Sequence, residues 1–145
     1  MIKVHYFFDP LCGWCYGIAP LIKAAAALPD VELYLHGGCL WPRPTVLPPQ
    51  VRKQIRLADA RVGQLSGQPY GPRYLDELLP SDGMVLHSQP TTAAVLAAGL
   101  LRPGADLEML RAIQSAHYVD GEHVIETGTL ERLAARIGLD AADFR

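Results

Sequence analysis

Apolar residues in the first third of the chain follow two distinct periods. The run Ile2–Phe8 is rich in β-branched and aromatic residues with little polar interruption, which predicts a buried strand. Asp9 and Pro10 end it, because a proline disfavours helical backbone in the residue before it. A helical pattern then covers residues 13–28, and residues 31–36 predict a second strand. A strand, a crossover helix and a second strand form a right-handed βαβ unit.

The rest of the chain shows a helical period broken by loops rich in glycine and proline. Ser88 is predicted to cap one of these helices, and Gly138 stands where a helix C-terminal glycine belongs. The pattern predicts helices over about residues 49–62, 92–101, 106–118 and 130–137, with shorter turns at 74–79 and 140–144. The chain is therefore predicted to be α/β, a βαβ unit followed by at least four helices.

Composition narrows the class of protein. With 145 residues, of which 50% are apolar and 19% charged, the chain suits one soluble globular domain with a sizeable core. The net charge of −2 provides no basic surface for nucleic acid or an anionic membrane, and no apolar stretch suits a bilayer span. The N-terminus lacks the pattern of a signal peptide, so we expect a cytoplasmic protein whose thiols stay reduced.

Cys12 and Cys15 are the residues that point most directly to chemistry. They stand one helical turn apart at the start of the predicted helix, where unpaired backbone N–H groups favour a thiolate. A thiolate with a second thiol in reach can attack a disulfide and then release its partner. The same spacing suits a metal, and with His36 and Cys39 the pair would supply four zinc ligands. The setting between strand and helix favours redox chemistry, so we expect no metal and no organic cofactor.

Two segments of the chain resemble one branch of a known superfamily. Residues 5–17 have the sequence HYFFDPLCGWCYG, and Pro20 follows five residues after the second cysteine. Residues 112–121 have the sequence AIQSAHYVDG, similar to a Gln-x-Ala-aromatic signature in an inserted helical domain. On these segments the chain resembles the DsbA-like branch of the thioredoxin superfamily, in particular its cytoplasmic FrnE-like members and its disulfide isomerases.

The resemblance implies a fold and a division of the chain. Residues 1–48 would be the N-terminal part of a thioredoxin-like domain, and residues 49–145 a mostly α-helical insertion domain. Family members continue with a cis-proline loop, further strands and a final helix, for which we find no equivalent here. We therefore expect the C-terminal strands to be missing. The first strand would then have an uncovered apolar edge, to be covered by a second copy of the chain, a swapped segment or further residues.

The resemblance also implies roles for individual residues. Cys12 would be the exposed nucleophile and Cys15 the buried resolving thiol of a thiol–disulfide oxidoreductase or protein disulfide isomerase. Gly13 and Trp14 would tune the pair, and Pro20 would kink the active-site helix. Substrates would be protein or small-molecule thiols and disulfides.

For Asp9 two interpretations remain open: it shapes the strand-to-helix turn, or its carboxylate acts on one of the thiols.

Alternatives of other classes remain open. A neighbouring branch of the superfamily performs glutathione-dependent transfer or isomerisation of small molecules, although it usually lacks the second cysteine. A non-catalytic zinc or binding module is the other alternative. Cys39 is interpreted as a small buried residue at a strand end, with a third redox thiol as the sharper hypothesis. Trp41 is placed in a stiff loop that could help line a substrate groove, and residues 59–61 are interpreted as a solvated helix face.

Overall fold

The computed structural model describes residues 1–144 and begins with the expected strand–helix–strand unit. Strand β1 (Ile2–Phe8) leads through a short turn into helix α1 (Gly13–Ala26), and strand β2 (Val31–Gly37) follows. The strands are parallel, and their register runs from Ile2 opposite Val31 to Phe8 opposite Gly37. Within residues 1–144 the sheet has these two strands alone, as the sequence predicts.

Helices form the remainder of the described chain, in the order that the sequence pattern predicts. They are α2 (Pro49–Ser66), a π-helical segment (Arg73–Leu78), α3 (Ser88–Leu101), α4 (Ala105–Tyr118), α5 (Thr127–Arg136) and a 3-10 turn (Ala141–Phe144). Gly138 adopts φ +87° directly after the C-cap of α5, which confirms its predicted role. None of the helices in residues 1–144 is long and apolar enough to cross a bilayer.

The predicted cap of α3 is wrong in detail. Ser88 is the first residue of the helix, and the capping position belongs to His87. The Ser88 hydroxyl instead accepts a hydrogen bond of 2.8 Å from the backbone N–H of Trp41, because Ser88 is fully buried against the loop that follows β2. This bond connects the start of α3 to the loop that follows β2.

One continuous apolar core joins the βαβ unit to the helices. Tyr6 and Phe8 of β1 belong to the same buried cluster as Val95 of α3 and Ile113 of α4. Helix α1 packs closely on α2, since a Cβ on Gly17 would lie 2.6 Å from a methyl carbon of Val62. This packing brings residues of α2 directly against α1.

Candidate active site

The turn between β1 and α1 is held by Asp9. This residue is 4% exposed, and its two carboxylate oxygens accept hydrogen bonds from the backbone N–H groups of Leu11 (2.9 Å) and Leu40 (2.8 Å). The carboxylate thereby fastens the loop after β1 to the loop after β2. Its negative charge also raises the pKa of Cys12, although this is a minor contribution. Shaping the turn is therefore the main structural role of Asp9.

Cys12 and Cys15 are both half-buried, but their protons are held very differently. The Cys15 S–H donates to the Cys12 sulfur, and this bond, more than any other contribution, lowers the pKa of Cys12 to about 6. Burial opposes the shift, while the backbone N–H groups of Cys15 and Trp14 reinforce it. Donation to Cys12, together with burial, raises the pKa of Cys15 well above its usual value. Cys12 is thus placed to be a thiolate while Cys15 keeps its proton.

Tyr6 is a neighbour of this pair that sequence reasoning missed. Its side chain is buried on β1, and its hydroxyl partly offsets the rise in the pKa of Cys15. Burial, followed by the charges of the two cysteines, raises the pKa of Tyr6 itself, so the phenol stays protonated. Strand alternation predicts that Tyr6 faces the helix side of the sheet, which is the signal that could have found it.

A cavity of about 190 Å³ opens beside Cys12. Its walls come from both parts of the chain: Leu11, Cys12, Gly13, Trp14, Leu40 and Trp41 on one side, and Ile55, Ala58, Asp59, Val62, Tyr74, Leu79, Met84, Leu86, His117 and Tyr118 on the other. Trp14 is half-exposed and lines this cavity with an apolar side chain. Trp41 lines it as well, and its indole N–H reaches the carbonyl of Leu11 at 3.5 Å.

The interpretation of residues 59–61 as a solvated face is correct for Ala60 and Arg61, which are exposed, but wrong for Asp59. It is 3% exposed, and its Oδ2 accepts a hydrogen bond of 2.6 Å from the hydroxyl of Tyr74. Its Oδ1 lies 2.7 Å from the point where a Cβ on Gly13 would stand. Only a glycine at this position allows so close an approach, which gives Gly13 a definite structural role. Burial raises the pKa of Asp59 to about 6, against the two tyrosine hydroxyls that lower it.

Aromatic residues surround this carboxyl group. The rings of Tyr16 and Tyr118 stack at 4.7 Å, and the ring of Tyr70 meets both edge-on at 5.3 and 5.7 Å. The backbone of Gly71 is also packed closely against Val119, since a Cβ on Gly71 would lie 1.9 Å from the carbonyl oxygen of Val119. The loop that carries Tyr70 is therefore fixed against the end of α4.

The remaining predicted residues lie away from this cavity. Pro20 is inside α1 but exposed, and it lines a neighbouring surface groove that reaches Trp14. The prediction that Cys39 is buried is wrong: it is an exposed free thiol in left-handed backbone at φ +51°. His36 lies against His5, with 2.9 Å between their ring nitrogens, and it stacks on Phe7 on the exposed face of the sheet.

The placement of His36 argues against the zinc alternative. No group of three or more histidine, cysteine or acidic side chains within residues 1–144 is arranged to hold a metal ion.

The fold and the dithiol at the start of α1 define a protein of the thioredoxin class, and comparisons agree. No protein-family model matches the chain. The structure of the cytosolic disulfide reductase DsbM from Pseudomonas aeruginosa superimposes with a TM-score of 0.88 at 42% identity, over 99% of this chain and 69% of that one. The structure of the same protein with GSH gives 0.89, at 43% identity over 99% and 70%. The chain belongs to the DsbA-like branch of the thioredoxin superfamily.

A curated relative extends the comparison. The ClpXP adapter protein SpxH of Bacillus licheniformis is 26% identical in an alignment 154 residues long, gaps included, which covers 99% of this chain. The chain spans about half, 47%, of the length of that relative.

Proposed function

We propose that the chain is a thiol–disulfide oxidoreductase that reduces or isomerises disulfides in the cytoplasm, with Cys12 as nucleophile and Cys15 as resolving thiol. The observation that carries the proposal is the dithiol at the start of α1, beside a cavity that Cys12 lines, in which the Cys15 S–H donates to the Cys12 sulfur. A thiolate with a second thiol in reach can attack a disulfide and then release its partner. Similarity to a cytosolic disulfide reductase supports both the reaction and the compartment.

The reaction follows from the geometry of the pair. The Cys12 thiolate attacks a substrate disulfide, a mixed disulfide forms, and the first substrate sulfur leaves as a thiolate. Cys15 then loses its proton and attacks the Cys12 sulfur, which releases the second substrate sulfur and leaves a Cys12–Cys15 disulfide. Because Cys15 holds its proton firmly in the reduced protein, its deprotonation must accompany loss of the negative charge on Cys12. The reverse sequence oxidises a dithiol substrate.

We propose a glutathione-type thiol as the electron donor, supported by the similar reductase whose structure was determined with GSH. In this proposal Gly13 gives access to the thiolate, Trp14 contacts the substrate, Asp9 fixes the turn and Pro20 bends α1. The cavity beside Cys12 offers apolar walls with a few polar groups, the mixture that small-molecule sites show.

Reduction of insulin with glutathione as the donor tests the proposal. We expect Cys12→Ser to abolish the activity and Cys15→Ser to accumulate mixed disulfides that non-reducing electrophoresis resolves. Cys39→Ser is the matched control, because Cys39 is exposed and lies outside the cavity lining. Full activity in the Cys12→Ser variant would falsify the assignment.

A second candidate, a non-catalytic binding module, is favoured by the similarity to an adapter protein. The two candidates differ in their need for the thiols. Binding of a partner that survives Cys12→Ser, in a protein that never reduces insulin or glutathione disulfide, would support the adapter.

A further inference from the structure

A second cavity, of about 180 Å³, lies between the first two turns of α2 and the end of the π-helical segment. Its lining combines apolar residues with cations: Pro49, Leu75, Leu79 and Pro80 on the one hand, and Arg52, Lys53 and Arg56 on the other. Among the described residues no acidic side chain belongs to this lining. Leu79 is the only lining residue that it shares with the cavity beside Cys12, so the two cavities are separate sites.

Arg52 is the buried member of the three cations. It is 5% exposed, its Nη1 donates a hydrogen bond of 2.7 Å to the carbonyl of Ser81, and its Nη2 donates one of 2.9 Å to the carboxylate of Asp82. Its Nε is buried too, and it has no hydrogen-bond partner among the described residues. Buried donors are normally paired, because a donor left unpaired costs free energy. The structure therefore leaves a charged donor unused in a side chain that lines the cavity.

The charges around the cavity do not balance. Asp82 pairs with Arg52, and Asp76 pairs with Arg56 at 3.3 Å, but these two carboxylate side chains are 91% and 64% exposed. Lys53 is exposed and belongs to none of the ion pairs described within residues 1–144. The first turn of α2 contains no acidic residue, so the partial positive charge of the helix start is not offset there. Three cations against two acids leave one positive charge, which a monoanion would neutralise.

We propose that this cavity is a binding site for a small monocarboxylate with an apolar body. The carboxylate lies against Arg52 and Lys53, and the apolar body packs on Leu75 and Leu79. The planar guanidinium group matches the geometry of a carboxylate, with which it forms short, charge-assisted hydrogen bonds. Inorganic phosphate suits the site less well, because apolar walls would remove its hydration without replacing it. The proposal concerns binding alone and does not depend on the redox function.

Hexanoate is the probe that tests the proposal, followed by NMR of the backbone amides in the full, reduced chain. We expect the amide signals of Lys53 and Leu75 to shift and to reach saturation with hexanoate, but not with hexanol or inorganic phosphate at the same concentrations. Equal shifts with phosphate would overturn the assignment to an apolar carboxylate. Shifts confined to the dithiol cavity, at Trp14 for example, would overturn the location.

Variants of the cations test the same site. Arg52→Lys keeps the charge but removes the Nε donor, so hexanoate should bind about tenfold more weakly. Because Arg52 also donates to Ser81, a change there affects packing as well, and Lys53→Gln provides an independent variant at an exposed position. It should weaken binding about threefold.

Arg61→Gln is the matched control for Lys53→Gln. Arg61 is exposed on α2, the substitution removes the same charge, and the side chain lies outside the cavity lining. We expect this variant to bind hexanoate as the parent protein does. Equal affinities for hexanoate in the Lys53→Gln and Arg61→Gln proteins would overturn the proposal.

Discussion

The buried groups Asp59 and His117 make a definite prediction about stability and pH in the reduced protein, the form with free cysteines to which their pKa values apply. The folded-state pKa of Asp59 is raised from 3.8 to about 6 by burial, so between these values the folded protein holds a proton that the unfolded chain has lost. Stability therefore falls as pH rises through this window. The total loss is about 3 kcal/mol at about 1.4 kcal/mol per unit of pKa shift.

His117 acts in the opposite direction over nearly the same range. Burial lowers its pKa from 6.5 to about 4, so the unfolded chain binds a proton there that the folded protein does not. The contribution of His117 to the free energy of unfolding is fully present above its unfolded-state pKa of 6.5. It is lost as pH falls from there to about 4, again by about 3 kcal/mol. The two effects nearly cancel in the parent protein, which hides both from a simple pH profile.

Urea unfolding of the reduced protein at several pH values, for the parent and Asp59→Asn proteins, separates the two effects. The asparagine cannot titrate, so the variant should gain about 3 kcal/mol relative to the parent between about pH 4 and about pH 6. Titratable groups that both proteins share contribute equally to the two free energies of unfolding, so they cancel when one is subtracted from the other. Glu77→Gln should run parallel to the parent, because its carboxyl group is exposed. If the Asp59→Asn curve also runs parallel, the buried carboxyl group does not have the electrostatic environment described above.

Three further predictions concern packing, assembly and the third thiol. Gly13→Ala should destabilise the protein by about 1–3 kcal/mol, because its Cβ would lie 2.7 Å from Asp59 Oδ1. Gly128→Ala, whose Cβ meets nothing within 4 Å, should leave stability unchanged or raise it by up to about 1 kcal/mol in the same urea experiment. Light scattering should show a dimer in which a second copy covers the free edge of β1, and a stable, non-aggregating monomer would contradict this. After mild peroxide treatment, thiol titration should find Cys39 alone still reactive, whereas loss of all three thiols would make it a redox partner.

What the sequence could predict was local. The strand, the Asp9 turn and the dithiol at the helix start follow from neighbouring residues, and the structure has all of them. The predicted burial of the strand holds for Tyr6 and Phe8, but Phe7 is 70% exposed because one face of the sheet is uncovered.

Asp59 was missed because an acidic residue in a helix was taken to face solvent. Its position indicates otherwise: it stands four residues after Ile55 and three before Val62, on the stripe of α2 that packs inward. A carboxylate on such a stripe is the signal that could have found it.

The contact between Tyr74 and Asp59 could not be predicted from helical periodicity at all. The sequence predicts no more than a short turn at residues 74–79, but the chain forms a π-helical segment closed by a 2.8 Å bond from Leu79 N–H to the Tyr74 carbonyl. The wider turn alters the angle at which successive side chains leave the helix, and such segments are frequent at functional sites. The Tyr74 hydroxyl donates a hydrogen bond to Asp59, which lies 15 residues earlier in the chain and in another helix. Helical periodicity relates residues within one helix only, so it carries no information about this contact.

The helical part of the chain therefore supplies residues to the cavity beside the dithiol as well as covering it. The Cys12-x-x-Cys15 spacing and the helix terminus create a thiolate, but they do not determine which other charges share its cavity. That depends on the close packing of α1 on α2, which the small residues Gly13 and Gly17 permit. Because electrostatic interactions are stronger where hydration is poor, the charge of Cys12 contributes to raising the pKa of Asp59, the carboxyl group that α2 places at the cavity, although burial is the larger cause.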